Sequence, residues 1–342
     1  MPGASRRTTL ATVARSAGVS VATVSKVLNG REDVAPGTRA RVQELLRAHD
    51  YARRVSGLRR HPTVELTFRG RIGSYSAEII QGIASAAGDL GAAVAISVNA
   101  DGDHRSHLSA TQWARDLLAD GRQAVIAVTD DLGPREINAL ARMHLPLVVI
   151  DPMNVPSPEV VSVGSTNFRG GRAAATHLVE LGHRRIGFLG GTAAAECNQA
   201  RLQGCKAALE TAGIPLPEDY VVAAGDFMYE DGLESAPVLL DRTDRPTAIF
   251  AASDELARGV IESARARGIV VPRDLSVVGF DDTEIARLAS PPLTTVRQPL
   301  QDMGAVAIRT ALRLATGERI DSTHVELATE LVVRASTSAA PR

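Results

Sequence analysis

The sequence predicts an N-terminal all-α helix-turn-helix head, followed by an α/β core of two doubly wound parallel-sheet lobes. Three observations predict it. Residues 9–29, TLATVARSAGVSVATVSKVLN, carry two short amphipathic patterns around a glycine. From residue 63 onward, short β-branched runs alternate with longer helical stretches, the mark of βα units. Charge is divided as well. Residues 1–60 hold twelve Arg or Lys against four Asp or Glu, a balance of +8. The whole chain is at −1, so residues 61–342 carry −9.

In the head, Leu10, Val13, Ala14 and Ala17 recur at i, i+3, i+4 and i+7, one apolar helical face. Gly18 stands where a helix ends in a left-handed residue. Ser20 is placed to cap a second helix, whose stripe is Val24, Val27 and Leu28. The opposite side of that helix carries Ala22, Thr23, Ser25 and Lys26. These are small, polar or cationic side chains, which suit a helix entering a DNA major groove. An ordinary helical hairpin has the same spacing, but the basic head on an acidic body favours a nucleic-acid module. A third helix fits 38–49, with Val42, Leu45, Leu46 and His49 on one face. Residues 52–60, ARRVSGLRR, have four arginines and little to bury, and read as a linker ended by Pro62.

The body predicts strands at 64–68, 93–98, 124–128, 147–150, 160–163, 185–190, 247–252 and 275–280. Helices fall at 76–90, 106–119, 168–181, 199–212, 254–267 and 300–315. Strands apolar on both faces imply parallel sheets covered on both sides. Some 270 residues exceed one such sheet, so the body splits into two lobes near residue 163. Ligands of open α/β sheets bind beyond the carboxyl ends of the strands. Several polar residues follow the strands there: Asp130 and Asp131, Asp151, Ser253 and Asp254, Asp281 and Asp282, with Arg201 in the helix after RIGFLGG. One arginine among carboxylates can clasp a neutral, hydroxyl-rich molecule, the acids accepting and the guanidinium donating in a fixed fork. A strand-end Asp can equally cap the next helix.

Composition excludes other classes. No apolar run approaches the ~20 residues that span a bilayer, so no membrane role is expected. The N-terminus has the charge of a signal peptide without its apolar region. The two cysteines, Cys197 and Cys205, cannot build a disulfide framework and fall in one helix, as reduced residues in cytoplasm. Histidines lack metal-ligand spacing, and the chain holds no phosphate loop, dinucleotide fingerprint or nucleophile elbow. Neither catalysis nor a metal or other cofactor is expected.

The head matches T-L-x-x-V-A-x-x-A-G-V-S-x-x-T-V-S-[RK]-V-L-N and so resembles the LacI/GalR family of bacterial transcriptional repressors. The resemblance continues through HLVELGHRRIGFLGG (177–191), ARLQGCKAAL (200–209), TAIFAASD (247–254), VPRDLSVVGFDD (271–282) and PPLTTVRQPLQDMG (291–304), and covers essentially the whole chain. It implies a head at 1–50, a hinge at 51–61, and a core like the periplasmic sugar-binding proteins, crossed three times by the chain. The N-lobe is then 62–162 plus 293–322, the C-lobe 163–292 plus 323–335, and 336–342 a tail. For DNA, the resemblance places Thr9, Ser20, Thr23, Ser25 and Asn29 mostly at phosphates, and Val21, Ala22 and Lys26 at base edges. On a helical wheel Val21 lies beside Leu28, a core position as much as a contact. The hinge departs from the family: Tyr51 is followed by ARRVSGL, two residues shorter and lacking Pro-Asn. Leu58 is its candidate minor-groove wedge, with Gly57 weakening any helix there. Ala35 and Gly37 replace the family's usual Ser and Glu before the third helix.

For a small-molecule effector, the resemblance points to Arg201, Asp254 and Asp281, to Phe227 as a stacking ring, to Tyr75 at the N-lobe rim, and to Asn167 and Cys197. The expectation is a homodimeric, cytoplasmic, DNA-binding repressor on a near-palindromic operator, responding to a sugar-like effector. Activation, or gating by a protein partner, would use the same fold. A periplasmic solute-binding protein would share the body but not residues 1–60.

Overall fold

The computed structural model describes residues 10–28, 34–48, 61–99, 109–129, 132–153 and 160–341. Two compact units divide the chain, residues 1–61 and 62–342.

In the first unit, α1 (Leu10–Ala17), α2 (Val21–Leu28) and α3 (Pro36–Ala48) enclose a small core of Val13, Ala14, Ala17, Val24, Val27, Val34 and Val42. The turn is set by Gly18, at φ +66°. Its N–H donates to the Arg15 carbonyl at 3.3 Å, and the Val19 N–H to the Ala14 carbonyl at 3.0 Å. This paired closure needs a left-handed residue after the last helical one, a conformation glycine adopts without strain. Ser20 then caps α2, its Oγ accepting from the Thr23 N–H at 3.1 Å. Pro36 opens α3 at the first position, where its missing N–H loses no bond. The hinge, with Leu58, lies outside the described residues, as do Thr9 and Asn29.

The second unit begins with β1 (Thr63–Arg69), α4 (Ser74–Asp89), β2 (Ala93–Asn99), α5 (Ala110–Ala119), β3 (Arg122–Val128), α6 (Pro134–Arg142), β4 (Leu147–Ile150) and β5 (Val161–Ser165). It continues through α7 (Asn167–Glu180), β6 (Ile186–Gly190), α8 (Glu196–Thr211), β7 (Val221–Ala223), α9 (Tyr229–Ser235), α10 (Pro237–Leu240), β8 (Ala248–Ala251), α11 (Asp254–Ala266) and β9 (Ser276–Asp281). Then come α12 (Glu284–Leu288), β10 (Thr294–Arg297), α13 (Leu300–Ala315), β11 (His324–Leu327) and β12 (Glu330–Val332).

Among the described residues two six-stranded sheets form, ordered β11-β5-β4-β3-β1-β2 and β12-β10-β9-β8-β6-β7. All pairs are parallel except β10 with β12. The apolar runs explain this. Strands β3, β4, β6, β8 and β9 are buried almost end to end, because helices cover both sheet faces. Phe188, Phe250 and Phe280 stack in series within the second lobe, ring centroids 5.4 and 6.4 Å apart. In each sheet the strand order reverses once, between β1 and β3 and between β6 and β8. A crevice opens at such a point.

The pairing moves the expected lobe boundaries. β5 runs on to Ser165 and β11 joins it, so 163–165 and 324–327 belong to the first sheet. β10 pairs with β9, so 294–297 belong to the second. The chain therefore crosses near Thr166, Gln298 and Thr329. These points are stitched together: the Ser165 Oγ donates to the Gln298 side chain, and the Thr329 N–H to the Thr166 Oγ at 3.0 Å. Apolar runs locate strands but not where their ladders end. The expected tail also proves structured. Ser336 is buried, donating to the Val277 carbonyl at 2.6 Å and accepting from the Thr294 N–H at 2.8 Å, while the Ala340 N–H reaches the Leu181 carbonyl. Short hydroxyl side chains look like a tail in sequence, yet here they satisfy buried backbone groups.

Candidate functional site

Two sets of residues answer to the sequence expectations, one in each unit. On α2, Val24 and Val27 face the core. Ser20, Val21, Ala22 and Lys26 are exposed, and Thr23 and Ser25 partly so. Val21 is 46% exposed, which removes it from the core despite its place on the helical wheel. Ser20 shares its hydroxyl between the cap and the Thr23 Oγ, 2.9 Å away. The outward face of α2 thus consists of two apolar side chains, three hydroxyls and one ammonium. It suits thymine methyls, phosphates and guanine acceptors.

In the second unit a cavity of about 200 Å3 opens at the strand ends of both lobes. The N-lobe contributes Arg69 ending β1, Arg71 after it, Tyr75 on α4, Thr129 after β3 and Asp151 after β4. The C-lobe contributes Cys197 and Arg201 on α8, Phe227 after β7, Ser253 after β8 and Asp281 ending β9. Thr129, Asp151 and Asp281 have φ of +46°, +42° and +115°. Three non-glycine residues held in sparsely populated backbone regions, all at one cavity, mark a place where position matters more than local comfort.

Arg201 is the centre of this wall. It is 3% exposed. Its Nε donates to the Asn167 Oδ1 at 2.8 Å and its Nη1 to the Ala252 carbonyl at 2.6 Å. Nη1 lies 3.9 Å from the Asp281 Oδ1, and the guanidinium sits 3.8 Å above the Phe280 ring. Close helix packing makes this possible. A Cβ on Gly171 of α7 would come within 2.1 Å of the Arg201 carbonyl, and one on Gly204 of α8 within 2.1 Å of the Phe168 carbonyl. Only glycines allow α7 and α8 to approach so closely, and that approach brings Asn167 to Arg201.

The carboxylates are poised around it. Burial pushes Asp281 up to about 7, with Arg201 and the Gln298 amide (2.7 Å) pulling it down and Asp151 and Glu255 pushing it up. Burial also raises Asp151 above the usual carboxylate range, opposed by Arg201 and by the Tyr75 hydroxyl, which donates at 2.7 Å. Tyr75 is in turn driven well above its ordinary value by burial and by Asp151. Phe227 lays its ring over Gly191, and its carbonyl accepts from the Ser253 Oγ at 2.7 Å. Cys197 lines the cavity with its thiol pushed up to about 11 by burial, so it is a neutral wall group rather than a nucleophile. Cys205, on the same helix, is core.

Asp254 does not reach the cavity. Its Oδ2 accepts from the Thr283 N–H (2.8 Å) and hydroxyl (3.1 Å), and its Oδ1 from the Thr295 hydroxyl at 2.6 Å. It is fully buried and ties α11 to the start of α12 and to β10. Its neighbours Ser253 and Glu255 line the cavity instead. Three consecutive residues at a strand-to-helix turn point in different directions, and sequence does not say which one faces the cleft. Asn167 lies in the wall behind Arg201 and lines an adjoining hollow with Glu196, His324 and Glu326. Asp282 turns away, held by Arg297 at 2.7 Å and Arg334 at 2.6 Å. Asp130 and Asp131 lie outside the described residues. Asp151 was visible in sequence as a strand-end acid. Arg69, Arg71, Thr129 and Glu255 carried no signal beyond lying near strand ends.

Among the described residues no cluster of His, Cys, Asp or Glu could hold a metal ion, and no helix is long and apolar enough to cross a membrane. The cavity wall sets a few polar groups, Arg201, Tyr75, Asp151 and Asp281, among apolar side chains.

Comparison with known proteins agrees. Residues 9–54 match bacterial regulatory proteins of the lacI family, and residues 175–337 a periplasmic binding protein-like domain. The HTH-type transcriptional regulator DegA of Bacillus subtilis (strain 168) is 34% identical over 336 residues, 97% of this chain and 98% of that protein. The solved complex of the transcriptional regulator CelR with cellobiose superposes with a TM-score of 0.73 at 32% identity, covering 96% of this chain and 100% of that one. The lac repressor dimer bound to operator and the anti-inducer ONPF gives 0.71 at 27% identity, over 98% and 100%. These relatives are transcriptional regulators, not enzymes. With a lacI-type head, two parallel-sheet lobes and similarity along nearly its full length, the chain belongs to the LacI family of bacterial regulatory proteins.

Proposed function

We propose that this protein is a homodimeric, cytoplasmic transcriptional repressor that binds a near-palindromic operator and is controlled by a small sugar-like effector in the interlobe cavity. The observation that carries this reading is the preset arginine: Arg201 fixed between Asn167, the Ala252 carbonyl and Asp281, at a cavity that Tyr75 and Asp151 also line, in the same chain as a helix-turn-helix head. A sugar offers hydroxyls that donate to Asp151 and Asp281 and accept from Arg201, with Phe227 beneath a ring face. The cellobiose bound to CelR and the operator bound to the lac repressor dimer support the ligand class and the DNA class.

Two heads on a two-fold dimer read two half-sites. Lys26 donates to guanine, and Val21 and Ala22 pack on thymine methyls. Ser20, Thr23 and Ser25 hold phosphates together with Thr9 and Asn29, and Leu58 of the hinge wedges the minor groove. Effector binding changes the lobe angle and so the fraction of dimers able to dock both heads, limited by the effector's differential affinity for the two states.

A thermal-shift screen of mono- and disaccharides, cellobiose included, tests the effector, because binding to the folded state alone raises the melting point. Salt titration of binding to palindromes near the gene's own locus tests the operator. No shift with any sugar would remove the effector class. Absence of a salt-sensitive sequence preference would remove the repressor.

A further inference from the structure

Helix α4 begins at the cavity rim without a cap of its own. Its N-cap position is Gly73, which has no side chain to offer, and no acid lies in its first turn. The first N–H groups of a helix need acceptors, and its N-terminus favours a negative charge. Here the acceptor comes from the other lobe. Glu255, in the first turn of α11, places its Oε1 3.1 Å from the Ser74 N–H and 2.8 Å from the Ser74 hydroxyl, and both donate to it. A Cβ on Gly73 would stand 3.0 Å from the same oxygen and 3.0 Å from the Met228 methyl, so the bare glycine is what lets the carboxylate in. Beside it Arg71 pairs with Glu230 across the same mouth at 3.2 and 3.3 Å, but these side chains are 65% and 52% exposed and hold weakly.

We infer that Glu255 is a positioning residue of the cleft: a C-lobe carboxylate that caps an N-lobe helix and thereby sets how far the lobes close before any ligand arrives. The inference rests on the reading of the cavity as the effector site. Opening the lobes strips α4 of its cap, so the closed state is favoured by the strength of one charge-assisted cap. A ligand that offers Ser74 its own acceptor displaces Glu255, whereas one that leaves Ser74 alone binds on top of a preset closure. In either case Glu255 sets the population of the binding-competent state, and apparent affinity scales with that population.

The test uses the full-length protein without effector. Fluorophores attached through unnatural amino acids at exposed Arg135 on α6 and Glu234 on α9 report the interlobe distance by single-molecule energy transfer. Glu255→Ala is expected to lower the closed-to-open ratio about 5- to 30-fold, the span of an ordinary lost cap. Ser74→Ala, which removes one of the two donors, lowers it less, and the double variant goes no further than Glu255→Ala alone. Circular dichroism and the wild-type melting profile confirm that each variant is folded. Unchanged interlobe populations in both single variants would overturn the inference, leaving Glu255 as a local cap. Strictly additive effects would overturn it too, since the two residues would then act through different contacts. Because no ligand enters the experiment, either outcome leaves the effector reading to be decided by the sugar screen.

Discussion

The head and the cleft solve the same problem, presenting polar groups to a partner, in opposite ways. The head uses one short helix. Its candidate contact residues lie within seven positions of one another on one face, where the Ser20 hydroxyl is shared between the cap of α2 and the Thr23 hydroxyl. The cleft draws its groups from strand ends in both lobes and holds them by buried bonds, with Arg201 committed to two acceptors and a ring before any ligand binds. A partner as large as DNA touches many groups at once, so one short helix face can serve it. A small ligand touches few, so the protein must build their order in advance.

If that contrast is right, the largest effect belongs to the cleft. Arg201→Ala removes the one cation that, among the described residues, is buried beside Asp151 and Asp281. It should destabilise the body by about 3–5 kcal/mol and abolish the effector response. Calorimetric melting and an effector titration read both, and Arg201→Lys, which keeps the charge but loses the fork, should recover stability more than response. Operator binding by either folded variant at low temperature should stay near wild type. A normal effector dose–response in Arg201→Ala would break the contrast at its centre.

In the head a single contact should matter less and only for sequence. Lys26→Ala is expected to weaken specific operator binding by about 1–3 kcal/mol and to relax discrimination at one position, measured by fluorescence anisotropy on an operator and its single-base variants. An equal loss on every sequence would make Lys26 a phosphate contact and the head less like a reader.

A smaller and pH-dependent effect sharpens the account of the cleft. Folding raises Asp281 to about 7 by burial, above the unfolded value of about 3.9. Its contribution to stability is therefore full below that lower value and is lost as pH rises through the higher one. Asp281→Asn, which cannot ionise, should raise the melting temperature by a few degrees at pH 8 and by less at pH 5. A constant difference between the two pH values would mean that Asp281 keeps its charge, fully matched by Arg201 and Gln298.

The smallest effect tests the head's own frame. Ser20→Ala removes the hydroxyl that accepts from the Thr23 N–H and should cost the head about 1 kcal/mol, seen as a lower melting point of the first unit. No change would show that Ser20 is there for DNA alone.

The two regions also differed in how legible they were. The head could be read almost entirely from local pattern, since Gly18, Ser20 and the apolar stripe act within one or two turns. Val21 was the exception. The wheel put it beside Leu28, whereas it stands 46% exposed at the first position of α2. In the body, β7 and β12 were too short to be found as strands, at three residues each, and β10 (TTVR) and β11 (HVEL) carried too few apolar residues. β10 and β12 pair across a separation of more than thirty residues, and β11 pairs with a strand 162 residues earlier, a closure no local signal records.

What the sequence by itself determined is the class of each part: an amphipathic helical pair with basic flanks, an acidic α/β body, and polar residues ending its strands. Periodicity and charge are properties of neighbours along the chain, so they survive without a structure. What only the tertiary structure decided is which of those polar residues meet. Asp254 turned into the core while Ser253 and Glu255 turned into the cavity, and Asp281 came to Arg201 while Asp282 went to Arg297 and Arg334. Side-chain direction at a strand end is set by backbone angles such as the +115° at Asp281, and those are imposed by packing of both lobes, not by the residues beside it.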